Sequence, residues 1–488
     1  MKRLACLLLF AALPLFAHAE RLPATVASAL KAANIPQSAV AMVVQDADGV
    51  RPRLTFNADQ AMNPASTMKL VTTFAALELL GPAYTWKTTA WSTAPLENGV
   101  LAGDLYLLGS ADPKLTFEQF WLLLRQLRAR GVREIGGDLV LDRSLLTPAE
   151  HDPAAFDEKP LRPYNVGPDA LLLNFKAIRL TLAPDAAAKA VNLLVEPEPT
   201  NLEIVNLMKL GSNGCPEGWR DNLHADLARY GNRWRLILTG TYPASCEEKT
   251  WRIGLMPHDD YLRGVFGQLW TELGGKLKGG VRDGVVPDDA RQMAGIESQT
   301  LAEMVRDINK YSNNVMARQL FLTLGAEAGK RPVRNEDADA VVRAWLDGRN
   351  LSFPELVLDN GSGLSRRERI SAGNLARLLA AAWASPVMPE FVASLPLVAV
   401  DGTMKKRLSG NGVAGRAHIK TGYLDGVRAN AGYVLDKSGR RQIVVCLINH
   451  PNARDAQPAL DALLAWVYES VSHGDMECPA WGTPLVTQ

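Results

Sequence analysis

A serine and a lysine three residues apart give this sequence its first candidate for chemistry. Ser66 and Lys69 lie in the stretch NPASTMKL, in the first turn of a predicted helix, where residues three apart share one face. A serine hydroxyl becomes a nucleophile when a base removes its proton, and a lysine can be that base only as a neutral amine. Burial disfavours the charged ammonium and lowers a lysine pKa by several units. The pair therefore predicts acyl transfer through Ser66, provided that Lys69 is kept away from water.

Two later motifs supply further polar groups that acyl transfer would use. Ser312 and Asn314 lie in YSNN between two predicted helices, where a second hydroxyl and an amide could relay a proton and orient a substrate amide. Lys420 and Thr421 lie in HIKTG on a predicted strand, where an ammonium beside a hydroxyl can hold a substrate carboxylate. Gly422 follows them and would let the backbone approach the substrate closely.

Short motifs of this kind also occur by chance. Ser28–Lys31 repeats the serine–lysine spacing on an ordinary amphipathic helix, and Ser409–Asn411 repeats the serine–asparagine spacing in a glycine-rich loop. We interpret both copies as structural. The cysteines lack metal-site spacing, and the sequence contains no H-E-x-x-H and no Walker motif, so we expect neither a metal nor a cofactor.

The elements around the motifs must bury the lysine and bring distant segments together. A helix is predicted over Ala65–Leu80, between Pro64 and the Gly81–Pro82 stop, with apolar residues around most of its circumference. Such a helix is buried on nearly all sides. Both ends of the chain supply strands and terminal helices, which predicts one α+β domain interrupted by a long insert.

The patterning sets approximate domain limits. We assign residues 20–86 and 291–488 to the catalytic α+β domain. A strand–helix–strand unit, for which parallel pairing is the default, predicts an inserted α/β domain over 87–162 and 247–290. Short strands without a long helix predict an all-β module over 163–246, whose role its residues do not indicate.

The first residues predict export. Residues 1–19 combine a basic start, a short apolar run and a small-x-small site ending at Ala19, which is typical of a secretory signal peptide. A net charge of +1, with 22% charged residues, argues against nucleic acid as a partner. No later apolar run is long enough to cross a bilayer. We expect a periplasmic protein that is soluble or peripherally associated with the membrane.

Export would place four cysteines in an oxidising compartment, where disulfides persist. Cys215 and Cys246 would close a loop of about 30 residues and contribute roughly 3 kcal/mol. Cys446 lies in the apolar stretch IVVCLI and is either a buried thiol or a partner for Cys478.

The three motifs, in this order, resemble those of the penicillin-recognising serine enzymes. The blocks PASTMK, INKYSNN, DNGSGLSR, VDGTMKKR and KTGYLDGVRANAGYV resemble the low-molecular-mass penicillin-binding proteins of the D-alanyl-D-alanine carboxypeptidase/endopeptidase type, over nearly all of the mature chain. The resemblance implies a penicillin-binding/serine β-lactamase-like transpeptidase domain, an antiparallel sheet flanked by helices, with two small domains inserted between the first two motifs.

The resemblance also implies a reaction. Ser66 would attack the carbonyl between two D-alanines of a peptidoglycan stem peptide, Lys69 would accept its proton, and water would hydrolyse the acyl-enzyme. Backbone N–H groups of Ser66 and Tyr423 would form the oxyanion hole. The same enzyme would cleave D-Ala–diaminopimelate crosslinks and would be acylated by β-lactams. Its partners would then be stem peptides and β-lactam inhibitors, and a homodimer is compatible with the resemblance.

Further substrate contacts are assigned by matching position. Asp142 of the insert and Arg366 of SGLSR would bind the stem peptide. The residue after K-T-G is usually Thr or Ser, and here it is Tyr423, which predicts altered carboxylate affinity and β-lactam preference. Asp425 would either face the ammonium of a diaminopimelate side chain or serve as a turn residue.

Two other functions stay open at this point. A serine β-lactamase shares the motifs, although it would not need an insert of this length, and the sequence lacks E-x-x-L-N. A non-catalytic peptidoglycan-binding protein would keep the groove without the chemistry. Labelling by a fluorescent penicillin and release of D-alanine from a pentapeptide would separate these functions.

Overall fold

A computed structural model describes residues 21–49, 52–146, 151–212 and 214–470. The predicted signal peptide, residues 1–19, and Cys478 lie outside these ranges. The described helices are α1 Ala24–Ala32, α2 Lys69–Leu80, α3 Phe117–Ala129, α4 His258–Glu272, α5 Leu301–Tyr311, α6 Asn314–Glu327, α7 Asn335–Gly348, α8 Ala372–Trp383, α9 Met388–Ser394 and α10 Gln457–Glu469. The strands are β1 Val40–Asp46, β2 Pro52–Phe56, β3 Ala61–Met62, β4 Lys87–Ser92, β5 Leu96–Glu97, β6 Val100–Leu101, β7 Leu105–Leu108, β8 Glu134–Ile135, β9 Leu139–Asp142, β10 Ala177–Asp185, β11 Ala190–Glu196, β12 Leu202–Asn206, β13 Lys209–Gly211, β14 Leu223–Tyr230, β15 Arg233–Pro243, β16 Lys249–Gly254, β17 Lys276–Leu277, β18 Val281–Asp283, β19 Arg291–Glu297, β20 Ile370–Ser371, β21 Ala417–Leu424, β22 Val427–Leu435 and β23 Arg441–Asn449.

A five-stranded antiparallel sheet joins the two ends of the chain. Its order is β2-β1-β23-β22-β21, so the N-terminal hairpin pairs with the last three strands. Helix α8 packs on one face, and α10 packs on the other with α1 against it. The sheet is therefore flanked by helices on both faces, as the sequence predicts, and it positions the strand that carries Lys420.

The central strands are apolar on both faces because helices cover both faces. On β1, Ala41 and Val43 join the core beneath α2 and α8, whereas Met42 and Val44 join the core beneath α1 and α10. Each fully buried side chain of this size contributes about 1.5–3 kcal/mol. Cys446 on β23 is a buried thiol that forms no disulfide with a described residue.

The α/β part of the insert contains two mixed sheets. Their strand orders are β18-β9-β7-β4-β19 and β17-β8-β6-β5. Strands β7 and β9 flank α3 in the chain and pair in parallel, as predicted for this strand–helix–strand unit. Because β19 pairs with β4, we propose that the insert extends to residue 297 rather than 290.

The all-β part packs against the same core as α3 and α4. One sheet has the order β11-β10-β16, and another joins β12, β13 and β14 to the long strand β15. Since β16 pairs with β10, we propose that this module extends to Gly254 rather than to residue 246. A disulfide links Cys215 to Cys246, with their Cα atoms 4.7 Å apart.

Candidate active site

Ser66 lies in a tight turn that precedes helix α2. A single 3-10 turn spans Ala65–Met68, and the α-helix begins only at Lys69. Ala65 has a φ of +47°, and its N–H donates to Asn63 Oδ1 at 2.9 Å. A non-glycine residue in this left-handed region carries strain. The sequence predicts one continuous helix over this stretch, whereas the strained turn tightens its start and holds Ser66 at the edge of the core.

Lys69 is completely buried and contacts Ser66, the predicted nucleophile. Its Nζ lies 3.0 Å from Ser66 Oγ and 2.6 Å from Asn314 Oδ1, and it also donates to the carbonyl of Ser362. Burial holds the Lys69 pKa well below its usual value, and the positive charge of Lys420 lowers it further. A nearby carboxylate, Glu368, acts in the opposite direction. The environment thus favours the neutral amine, which is the form that can accept a proton.

The second serine ends helix α5. Ser312 has a φ of +56°, and Asn314 is the first residue of α6. Lys420 Nζ donates to Ser312 Oγ at 2.9 Å, and burial lowers the Lys420 pKa to about 7. The motif therefore contacts both lysines, Lys420 through the Ser312 hydroxyl and Lys69 through Asn314. A proton can pass between Lys420 and Ser312.

Strand β21 runs directly beside the Ser66 turn. A Cβ added to Gly422 would lie 2.7 Å from the Pro64 carbonyl oxygen and 3.1 Å from Ala65 Cβ. Contacts this short require a shift of the backbone, so only glycine permits this approach. Gly422 thus sets the separation between Ser66 and the K-T-G strand.

Thr403 is a site residue that sequence reasoning did not assign. Thr421 Oγ1 donates to Thr403 Oγ1 at 2.8 Å. The neighbouring Asp401 forms an ion pair with Lys310 at 2.7 Å and accepts from the N–H of Leu397 at 2.8 Å, which ties this turn to the end of α5. The block VDGTMKKR contains Thr403, but only the folded chain places its hydroxyl beside the K-T-G motif.

Glu368 supports the loop that holds Lys69. Its Oε1 accepts N–H groups from Asn360 at 3.1 Å and from Gly361 at 3.0 Å. The Gly361 carbonyl in turn accepts from Thr72 on α2, at 2.6 Å, and Ser362 of the same loop receives the Lys69 hydrogen bond. Burial raises the Glu368 pKa. The buried carboxyl group of Glu368 therefore orders the loop that accepts the Lys69 hydrogen bond.

Three of the predicted substrate contacts, Tyr423, Arg366 and Asp425, lie near the end of β21. The contacts that they make there involve other groups than the sequence predicts. Tyr423 is 65% exposed, and its ring packs on the Arg428 guanidinium at 3.5 Å. Arg366 donates to the backbone carbonyl of Asp425 at 2.7 Å and stacks on Phe156 at 5.0 Å. The contact between Arg366 and Asp425 thus involves the backbone of Asp425 rather than its carboxylate. The insert reaches this corner of the site through Phe156.

Asp142 occupies a structural position in the insert. It is buried at the end of β9 and accepts from the Ser144 hydroxyl at 2.6 Å and from the Val286 N–H at 2.8 Å. Both carboxylate oxygens are used by these contacts. None of its described hydrogen bonds or ion pairs connects it to Arg366 or Ser66. The assignment of Asp142 as a substrate contact stays a prediction, and in this structure its carboxylate accepts hydrogen bonds within the insert.

A cavity of about 1300 Å³ lies elsewhere. It is lined mostly by residues of the insert, together with Pro332, and none of the assigned site residues lines it. Among the described residues, no cluster of His, Cys, Asp and Glu could hold a metal ion. None of the described helices is both long and apolar enough to span a membrane.

The chain matches a known peptidase family over most of its length. The model of the D-Ala-D-Ala carboxypeptidase 3 (S13) family matches residues 22–467. The chain is 29% identical over 427 residues to a D-alanyl-D-alanine carboxypeptidase of Actinomadura sp. (strain R39), covering 84% of this chain and 77% of that one. It is 24% identical over 405 residues to the D-alanyl-D-alanine carboxypeptidase DacB of Haemophilus influenzae, covering 82% and 83%.

Solved structures show the same fold. The crystal structure of penicillin binding protein 4 (dacB) from Haemophilus influenzae superposes with a TM-score of 0.74 at 22% identity, covering 90% of this chain and 99% of that one. A predatory endopeptidase, Bd0816, from Bdellovibrio bacteriovorus superposes with a TM-score of 0.52 at 14% identity, covering 88% and 93%. The predicted fold class is thereby confirmed.

Proposed function

The chain belongs to the D-Ala-D-Ala carboxypeptidase 3 (S13) family, and on that premise we propose that Ser66 carries out the peptidase reaction as a covalent nucleophile. Membership makes the protein a serine-type D-alanyl-D-alanine carboxypeptidase. A β-lactamase and a non-catalytic binding protein, the two alternatives from the sequence, are set aside on this ground. The observation that carries the mechanism is the 3.0 Å contact between Ser66 Oγ and the buried Lys69 amine.

In the first step the neutral Lys69 amine takes the Ser66 proton. Ser66 Oγ then bonds to the carbonyl carbon between the two D-alanines, and that carbon loses its bond to the amide nitrogen. The departing nitrogen needs a proton, and Ser312 is suited to deliver it because its hydroxyl is hydrogen-bonded to Lys420. Lys420 replaces the proton that Ser312 gives up. Water then cleaves the Ser66 ester, and the shortened peptide leaves as a carboxylate. Ser66 Oγ takes back the proton held by Lys69, and the two water protons recharge Lys420 and the released amine.

Three features support substrate binding at this place. Asn314 contacts Lys69 and can receive the substrate amide. Lys420 and Thr421 can hold the terminal carboxylate through an ammonium and a hydroxyl. The close approach enforced by Gly422 favours an oxyanion hole made by the backbone N–H groups of Ser66 and Tyr423.

Crosslink cleavage and β-lactam acylation follow from the same chemistry. A D-Ala–diaminopimelate crosslink presents the same carbonyl with a larger amine as the leaving group. The Haemophilus influenzae relative in the structural comparison has also been crystallised in complex with a β-lactam. We extend both reactions to this chain, together with export directed by residues 1–19 and a periplasmic location. A homodimer stays part of the proposal.

The reaction is tested by measuring D-alanine released from a pentapeptide. Wild-type protein should release D-alanine, and the Ser66→Ala variant should lose at least about a thousandfold in kcat, because the residual rate would rely on binding alone. Retained activity in that variant would exclude Ser66 as the nucleophile. Ser28→Ala is a matched control, since that serine has the same spacing to a lysine on a surface helix.

A further inference from the structure

The groove that contains Ser312 and Asn314 continues past the catalytic motifs onto the inserted modules. Its volume is about 600 Å³. Pockets of this size accommodate drug-sized ligands, whereas a released D-alanine is much smaller. Its far walls include Phe117 at the start of α3 and Arg179 on β10. The inserts therefore line space that the carboxypeptidase reaction alone does not fill.

Four aromatic residues line this groove. They are Phe117, Tyr164, Phe175 and Tyr311. Tyr311 immediately precedes Ser312 and is 70% exposed, and Tyr164 is 38% exposed. Exposed rings grouped along a groove indicate a surface that binds apolar parts of a ligand. These aromatic residues thus extend the candidate binding surface from Ser312 toward the insert.

One of these rings is held by strained backbone. Asn174, Phe175 and Lys176 have φ values of +48°, +55° and +50°, in the left-handed region that such residues rarely adopt. Each residue of this kind costs on the order of 1–3 kcal/mol, and such positions collect at functional sites. The turn places Phe175 in the groove and directs Lys176 toward the separate large cavity.

Charged residues mark the far end of the groove. Glu196, Arg179 and Arg252 lie side by side on three adjacent strands, where Arg179 pairs with both of the others in the strand register. Arg179 forms an ion pair with Glu196. Arg252 is exposed, lines the groove and forms no ion pair with a described residue. Its planar guanidinium is suited to a carboxylate.

An acidic residue in the same groove narrows the class of ligand that the groove can bind. Glu118, at the start of α3, also lines the groove and has no ion pair with a described residue. An unpaired cation and an unpaired anion in one groove suit a ligand that carries both charges. A peptide with several carboxylates and a free amine carries both charges.

We propose that this groove binds the leaving strand of a crosslinked stem-peptide dimer, with Arg252 holding one of its carboxylates. The inference rests on the proposed endopeptidase function. In that reaction the amine that leaves the carbonyl carbon attacked by Ser66 carries a second peptide, which must extend away from Lys420 and Thr421. The second peptide has further carboxylates for Arg252, and its aliphatic groups can pack on Tyr311 and Phe175.

The test compares two substrates on the full mature chain. One is a soluble crosslinked muropeptide dimer and the other is a monomeric pentapeptide, and the measured quantity is the ratio of their kcat/KM values. Arg252→Glu should lower the dimer-to-pentapeptide ratio about tenfold, whereas Arg252→Lys, which keeps the charge, should retain most of it. Arg233→Glu is the control, because this exposed arginine of the same module lies outside the groove.

The outcomes separate this inference from the function on which it rests. An unchanged ratio in Arg252→Glu, or an equal fall in Arg233→Glu, would overturn the groove assignment. Wild-type protein that releases D-alanine but leaves the dimer intact would overturn it as well. A protein that acts on neither substrate and forms no Ser66 adduct with a β-lactam would instead refute the proposed function.

Discussion

At the scale of single residues, the chemistry depends on how much charge the buried amines carry. Lys69 and Lys420 are both fully buried, and the charge on Lys420 lowers the Lys69 pKa. Two positive charges at one site disfavour each other, so we expect one lysine to be neutral while the other is charged. In the proposed mechanism Lys69 acts as the base, and Lys420 holds a proton for Ser312 and for the substrate carboxylate.

This division of roles predicts a kcat/KM that falls at both low and high pH. As the pH falls, Lys69 passes through its lowered pKa, becomes protonated and can no longer accept the Ser66 proton. As the pH rises through about 7, Lys420 loses the charge that attracts the carboxylate. The pH profile of kcat/KM for a D-Ala-D-Ala peptide reports both limbs. Lys420→Arg should remove the alkaline limb, and a profile that stays flat through neutrality would contradict the assignment.

Thr403 gives a second prediction at this scale. In the structure Thr421 donates to the Thr403 hydroxyl. When substrate binds, we expect both hydroxyls to rotate, so that Thr403 donates to Thr421 and the Thr421 hydrogen turns to the substrate carboxylate. Thr403→Val should raise KM for a carboxylate-terminated peptide about tenfold, the approximate value of a hydrogen bond to a charged group. Thr403→Ser should restore the wild-type KM. If valine and serine variants behave alike, the hydroxyl has no such role.

At the scale of elements, the strained turn before α2 and strand β21 form one unit around Ser66. The sequence predicts the buried helix and the strand from their apolar patterns. It does not predict the 3-10 turn, because the backbone there is set by Asn63 and by the approach of β21. Thr403 and Glu368 were missed for a similar reason, since their contacts join segments that are distant in the chain. Asp142 was assigned by position, yet its carboxylate is used within the insert.

Gly422→Ala tests the contact between these two elements. The added methyl group would meet the Pro64 carbonyl at 2.7 Å and push β21 away from Ser66. A displacement of about 1 Å at reacting groups can cost a hundredfold in rate, so we expect a loss of that size in acylation. Gly348→Ala serves as the control because its methyl group would meet open space. Acylation rates measured with a fluorescent penicillin would show the difference, and equal rates would refute the role of Gly422.

At the scale of the whole molecule, residues of the large insert lie beside the candidate active site at two places. Phe156 stacks on Arg366 beside β21, and the groove residues of the insert lie beyond Ser312. The sequence predicts the insert and its two types of module, because strand–helix–strand and all-β patterns are local. It cannot predict where the insert touches the catalytic domain, since those contacts arise from packing between distant segments.

The disulfide of the insert leads to a prediction about stability. Cys215 and Cys246 are 31 residues apart and enclose part of the all-β module. A loop of this length contributes about 3–4 kcal/mol by restricting the unfolded chain. Replacing both cysteines by serine should lower the unfolding free energy by that amount in denaturant titrations, with Cys446→Ser as a comparison at a buried thiol. Loss of Ser66 acylation in the folded double variant would contradict a purely stabilising role.

The dependence of Ser66 on a neutral Lys69 is tested most directly by mass mapping of the protein after exposure to a β-lactam. We predict a covalent adduct on Ser66 in the wild type and none in Ser66→Ala. In Lys69→Arg, adduct formation should be about a thousandfold slower, because a guanidinium keeps its proton and cannot act as the base. An adduct on another residue, or an undiminished rate in Lys69→Arg, would contradict the mechanism.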